Sequence, residues 1–309
     1  IKGGIQGDEP RADGTAKITS GKYTGETVSD SADLYASGPF SLGGREHELV
    51  VGGSIGISDW NGKGYWNLTP NMVDFNNWHG HATQPDWGAP QQYTDDTIRQ
   101  TGAYMTTRLN LADDLKLLLG GRVVNYHLTG NNPSYRETGR FVPYVGVVYD
   151  LDDTYSVYAS YTDIFMPQEN YNRDRQNQLL EPDEGQNYEL GMKADFFDGR
   201  LNASAAYFEI HENNRAVSDD DYNNLKPAPQ NYAYKGTKAV TKGYELEVSG
   251  ELSPGWQVQA GYTHKVVRDD QDQKISTFEP EDQVKLYTTY KLKGDLDKLT
   301  VGGGVPSPQ

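Results

Sequence analysis

Cysteine is absent from the 309-residue sequence. Disulfides, thiolate metal sites and a cysteine nucleophile are thereby excluded. Long apolar runs are missing too, and no stretch approaches the ~18 apolar residues of a membrane-spanning helix. Positive charge is scarce, with 28 Lys plus Arg against 44 Asp plus Glu and a formal net charge of −16. A chain this acidic, without a basic block to neutralise phosphates, is not expected to bind nucleic acid. Hydrophobic residues make up only 35%, and mean hydropathy is −0.77. Those values would suit disorder, but the 22 Tyr, 8 Phe and 5 Trp are too many for a chain that never folds. Residue 1 is Ile, not an initiator Met, and no basic-then-apolar leader follows it. The sequence is therefore expected to be a processed or cut piece of a longer chain.

What is present is a period of two. Tyr188, Leu190, Met192, Ala194 and Phe196 alternate with Glu189, Gly191, Lys193 and Asp195. Tyr244, Leu246 and Val248 alternate with Glu245, Glu247 and Ser249, and Trp256, Val258, Ala260 and Tyr262 with Gln257, Gln259, Gly261 and Thr263. Successive side chains of a strand point to opposite sides, so each segment has one apolar and one wet face. About twelve strands are predicted, near 30–39, 46–59, 94–111, 115–128, 139–150, 154–164, 187–197, 200–213, 237–251, 256–268, 281–292 and 298–304. No helical periodicity competes, so the chain reads as all-β.

The connections alternate in length. Short ones at 41–44, 112–114, 152–153, 198–199, 253–255 and 293–295 carry hairpin residues such as Gly43-Gly44 and Asp198-Gly199. Long ones run over 60–93, 129–138, 165–186, 214–236 and 269–280, rich in Asn, Asp, Gln, Pro and Tyr. Alternation within strands also describes soluble sandwiches and propellers. Segregation of short turns from long loops points instead to an antiparallel up-and-down transmembrane β-barrel of the outer membrane. Its wet lumen accounts for the negative hydropathy. Tyr149, Tyr155, Trp256 and Tyr290 near strand ends suit an interfacial girdle, Trp256 on the short-turn side.

Several stretches then resemble a known family, the TonB-dependent siderophore receptors, and within it the ferric-pyoverdine receptors of pseudomonads. They include Asp33-Leu34-Tyr35-Ala36-Ser37-Gly38-Pro39-Phe40, Tyr158-Ala159-Ser160-Tyr161-Thr162-Asp163-Ile164-Phe165, Leu180-Glu181-Pro182, Lys242-Gly243-Tyr244-Glu245-Leu246-Glu247 and Val301-Gly302-Gly303-Gly304. Their order and spacing over 30–304 carry the likeness. The resemblance implies a 22-stranded barrel around an N-terminal plug. Residues 1–309 are expected to be a partial barrel domain without the plug or flanking strands, with 305–309 an atypical tail. The implied function is binding of a ferric siderophore, pyoverdine-like, at the external face and its import with TonB-supplied energy. Iron stays in the chelate, so no directly bound cofactor or protein metal site is implied. The implied partners are the siderophore, the TonB complex through the absent N-terminal region, and outer-membrane lipid and lipopolysaccharide.

The loop after the strand ending at Phe165 is the first candidate site. Tyr171 offers a flat face, Arg173 and Arg175 forked donors, and Glu169 and Asn172 polar contacts. A solvated polar loop is the plain alternative. The 60–93 stretch is the second, with Trp66, Trp78 and Trp87 as ligand contacts beside Trp60 and Tyr65, and packing of the loop into a lid as the other reading. His79-Gly80-His81 has no evident third ligand and is read as loop, so no metal residue is assigned. Acidic runs such as Ser218-Asp219-Asp220-Asp221 are expected to be solvated loop tips. No catalytic constellation can be assembled, so an outer-membrane barrel enzyme and a passive porin-like channel stand only as alternatives.

Overall fold

The computed structural model describes residues 2–7, 9–80, 82, 84–131, 133–225, 227, 231–277 and 279–305. His81 and residues 306–309 of the tail lie outside these. Thirteen strands run in chain order: β1 (Lys2–Gly7), β2 (Thr15–Leu42), β3 (Arg45–Asp74), β4 (Gln92–Asn110), β5 (Leu115–Thr129), β6 (Tyr135–Asp150) and β7 (Tyr155–Met166). They continue with β8 (Asp183–Phe196), β9 (Leu201–Ser218), β10 (Tyr234–Ser253), β11 (Trp256–Asp269), β12 (Asp282–Lys291) and β13 (Thr300–Val305). One helical turn, α1 (Asp220–Asn223), lies between β9 and β10. Each strand pairs with the next in a single sheet that, among the described residues, runs from β1 to β13 without closing. All twelve expected strands are present; the loop lengths differ at two places, since the expected long connection between β5 and β6 is only 130–134 and the expected tight turn between β12 and β13 takes 292–299.

Three differences from the sequence reading share one cause. The Gly-rich β1 was not expected, β2 begins at Thr15 instead of near 30, and β3 runs on to Asp74. A spanning strand needs only ~9–11 residues, whereas β2 has 28 and β3 has 30. Beyond the apolar band a strand has polar neighbours on both faces, so the two-residue signal fades while backbone pairing continues. Contacts accordingly divide the chain into two compact units. One holds 1–33, 54–102 and 125–138; the other holds 34–53, 103–124 and 139–309.

In the second unit the register sorts side chains cleanly. Tyr158 faces Gly191, Leu190 faces Tyr207, and Tyr244 faces both Tyr207 and His264. Ala260 faces Leu286, and Glu247 faces Gly261. Partners across a ladder share a face. Tyr188, Leu190, Met192, Tyr207, Tyr244, Leu246, Val284 and Leu286 therefore form one apolar surface, and all are exposed. The opposite surface carries Tyr158, Glu189, Lys193, Glu245, Glu247, Lys265 and Lys285. Buried apolar residues are few, with Val124, Val142 and Phe165 clustering. A sheet with so much exposed apolar area on one face would aggregate in water, and in lipid that face is satisfied.

Aromatic rings lie over glycines of the neighbouring strand at several places. The ring of Tyr104 occupies the space a Cβ at Gly52 would need, Tyr144 does so at Gly120, Tyr158 at Gly191 and Phe208 at Gly243. Tyr158 also donates to Glu189, and the Lys193 ammonium sits 4.9 Å from its ring centre. At the short-turn end Gly43 and Gly44 both take positive φ, 64° and 79°, as a two-residue hairpin requires. Trp256 is exposed there and donates from Nε1 to Thr288 Oγ1 at 2.7 Å.

Candidate ligand-binding site

The segment 167–182 leaves β7 where Pro167 removes a ladder donor, and it folds on itself before β8. Asn172 N donates to Glu169 O at 2.9 Å, and Arg173 N to Tyr171 O at 2.9 Å. Asp174 Oδ1 accepts from the amides of Gln176 and Gln178 at 2.9 and 2.8 Å. Arg173 is only 5% exposed. Its guanidinium donates to Asn170 O at 2.8 Å, Asn177 O at 3.1 Å and Asn170 Oδ1 at 2.5 Å. Asn172, also buried, donates to Gln168 Oε1 at 3.0 Å. Gln168 in turn reaches Glu181 O at 3.0 Å and Asn214 O at 2.7 Å. These two predicted ligand residues hold the shape of the loop from inside it.

Arg175 is engaged elsewhere. Its Nε and Nη2 form a fork onto Asp219 Oδ2 and Oδ1 at 2.5 and 2.9 Å, and its Cζ lies 5.4 Å from the Tyr222 ring centre. Asp219 does not behave as the expected solvated tip, since its side chain is 4% exposed. The hydrogen bonds from Arg175 hold its carboxyl below the usual carboxylate range, and the same contact raises Arg175. A buried carboxylate needs such a partner, which is why this member of the acidic run turned inward. Two backbone bonds extend the join. Tyr234 N donates to Arg173 O at 2.7 Å, and Asp219 N to Ala233 O at 3.0 Å. Segment 167–182 is thus bonded to Asp219 by a side-chain fork and to Tyr234, the first residue of β10, through the main chain.

Tyr171 and Glu169 face outward, Tyr171 being 64% exposed. Tyr171 packs 6.0 Å from Tyr234, which packs 5.3 Å from Tyr232, and Tyr232 is 59% exposed. The Tyr232 hydroxyl is tied to Ser218 Oγ at 2.6 Å. Sequence reasoning did not single out Tyr232 or Tyr234. Their two-residue spacing at the entry to β10, which Tyr234 begins, was a legible sign that they share a face.

The tryptophans are placed differently from expectation. Trp60, Tyr65 and Trp66 lie in β3, not in a loop, and the actual connection to β4 is 75–91. Trp66 donates from Nε1 to the Tyr23 hydroxyl at 2.8 Å, with the rings edge-on at 5.9 Å. Its backbone N and O bond the Gln91 side chain at 2.9 and 3.1 Å. Lys22 Nζ lies 4.2 Å from the Tyr65 ring centre and 5.5 Å from that of Trp87. Trp78, half-buried, follows a short 3-10 turn at Phe75–Asn77. Trp66 and Trp87 pack within their own unit, against Tyr23 and Lys22. His79 is exposed, and no group of three metal-ligating side chains occurs among the described residues.

An antiparallel sheet with one exposed apolar face, one polar face, tight turns at one end and long bonded loops at the other defines a transmembrane β-barrel chain. The chain belongs to the TonB-dependent receptor family: the family's model, TonB dependent receptor-like, beta-barrel, matches residues 5–306. It is 64% identical over 306 residues to the ferripyoverdine receptor of Pseudomonas aeruginosa, covering 98% of this chain and 38% of that protein. It is 40% identical to the ferric-pyoverdine BN7/BN8 receptor of Pseudomonas putida, covering 92% of this chain and 36% of that protein. A crystal structure of the P. aeruginosa ferripyoverdine receptor bound to ferripyoverdine superposes with a TM-score of 0.84 at 65% identity, covering 98% of this chain and 41% of that one. The chain therefore spans less than half the length of the relatives it matches. These relatives are receptors and not enzymes.

Proposed function

We propose that residues 1–309 are part of the barrel domain of an outer-membrane receptor that binds a ferric siderophore, ferripyoverdine, at its external face. The observation that carries this reading is 64% identity to a ferripyoverdine receptor across 98% of the chain. The exposed apolar face supports a position in the outer membrane, among its lipids and lipopolysaccharide. Iron arrives and leaves inside its chelate, so this chain supplies shape, stacking and hydrogen bonds and no metal ligands. Import is energised by the TonB complex acting on parts of the receptor outside these residues.

Within the site, the exposure of Tyr171 and Glu169 supports contact by these two, with Asn172, Arg173 and Arg175 shaping the loop that presents them. Tyrosine presents an amphipathic face with few rotatable bonds, which suits capture of a planar chelate. The test is fluorescence quenching of the full-length receptor in detergent by ferric pyoverdines, with ferrichrome as the control. Saturable quenching by a pyoverdine and none by ferrichrome is expected, and Tyr171→Ala should weaken it about tenfold. Absence of a response to every ferric pyoverdine overturns the ligand. An unchanged affinity in Tyr171→Ala removes this loop from the site.

A further inference from the structure

Two rim segments that are separate in sequence are one body in the fold. Segment 167–182 follows β7, and segment 219–234, which ends on the first residue of β10, follows β9; β8, a tight turn and β9 lie between them. The Arg175 fork onto Asp219, the Tyr234 N to Arg173 O bond and the ring chain from Tyr171 through Tyr234 to Tyr232 cross between them. Arg173 carries the load onward, since the carbonyl that accepts from Tyr234 belongs to the residue whose side chain braces Asn170 and Asn177. The outward result is a surface with Tyr171 and Tyr232 at its two exposed ends and Tyr234 between them.

We propose that these two segments capture the ligand as a single unit, with Arg175 and Asp219 as positioning residues and Tyr232 as a second stacking contact beside Tyr171. The proposal rests on the ferric-siderophore reading above. A forked pair fixes both distance and plane, which a lysine ammonium would not do, so the orientation of Tyr171 depends on a carboxylate 48 residues further along the chain. Asp219 touches no ligand in this scheme. Its contribution to affinity passes entirely through the tyrosines.

The experiment is a double-mutant cycle in the full-length receptor, read by ferric-pyoverdine quenching. Asp219→Asn and Tyr171→Ala should each weaken binding about tenfold, and the double variant should still lose only about tenfold in total rather than about a hundredfold. Multiplicative losses overturn the coupling. Arg175→Lys, which keeps the charge and loses the fork, should reproduce Asp219→Asn and serves if that variant does not fold. Tyr232→Ala should weaken binding several-fold, and an unchanged affinity overturns the second contact. Amide exchange on the unliganded receptor tests the join without any ligand. Asp219→Asn should speed exchange over 169–175 as well as 231–234, and acceleration confined to 231–234 overturns the single body. If the wild-type receptor binds no ferric pyoverdine, the functional reading falls and the exchange experiment alone decides the join.

Discussion

The two candidate stretches use their aromatics in opposite ways. In β2 and β3, Trp60 lies against Gly25, Trp66 against Gly21 and Tyr23, and Lys22 against Tyr65 and Trp87. Their rings are spent on cross-strand packing. In the 167–182 segment the polar residues turn inward to bond one another, and Tyr171 is left outward. A ring seated on a glycine is held by its neighbours, while an exposed ring braced by buried polar groups is available to a ligand. The residue types had already put the Tyr171 loop first and the tryptophan stretch second. Exposure, together with where the donors are already committed, supplies a physical reason for that order.

The contrast can be broken most severely at Arg173. Replacing it with Ala removes three hydrogen bonds from a buried guanidinium and should cost about 3 kcal/mol of local stability, seen as faster amide exchange over 169–178 in a receptor whose barrel still resists heat in detergent. A protection pattern like wild type would mean the loop is held by something else. On the other side, Gly25→Ala places a Cβ where the Trp60 ring now sits and should destabilise by about 1–3 kcal/mol with a shift in Trp emission. Gly38→Ala in the same strand meets nothing within 4 Å and should be neutral, so equal thermal shifts would refute the packing role. Trp66→Phe removes the bond to Tyr23 and should cost about 1 kcal/mol while leaving ferric-pyoverdine affinity unchanged; a loss of affinity would restore Trp66 to the site.

The smallest effect is that of pH. The Asp219 carboxyl is lowered by its bonds from Arg175, so the join is strengthened above the ordinary carboxylate value and loses that contribution as pH falls through the lowered one. Glu279 behaves alike, lowered by the Lys265 ammonium at 2.6 Å. Pepsin should cut the 167–182 segment faster at about pH 3 than activity alone accounts for when scaled from about pH 5, and Asp219→Asn should abolish that difference. A pH dependence that survives in Asp219→Asn would point to other carboxylates.

Where one face of a strand meets lipid, the sequence was easy to read. Tyr188 to Phe196 and Trp256 to Tyr262 announce their register because apolar solvent on one side and polar surroundings on the other enforce alternation. Residues 15–29 and 60–74 were not read as strand because the lipid-against-water contrast is weak there, and what holds them beside backbone pairing is cross-strand contact such as Trp66 on Tyr23 and Trp60 on Gly25. The candidate loop was found from its residue types, but the roles within it were not. Whether Arg173 faces a ligand or its own carbonyls depends on the turn that Asn172 and Asp174 make, and Asp219 is distinguished from Asp220 and Asp221 only by the arginine it meets. Such choices are made by long-range contacts, which leave no local pattern.

The rings that cover glycines on neighbouring strands bear on how the sheet is assembled. Gly52, Gly120, Gly191 and Gly243 each admit a ring because no Cβ stands in the way. Sliding any of these strand pairs by one residue would drive Tyr104, Tyr144, Tyr158 or Phe208 into a side chain and would turn its apolar partners toward water at the same moment. Each of these four strand pairs therefore carries its own alignment mark, set by shape within the pair. A chain inserting strand by strand can reject a misaligned pairing locally, long before the sheet is complete.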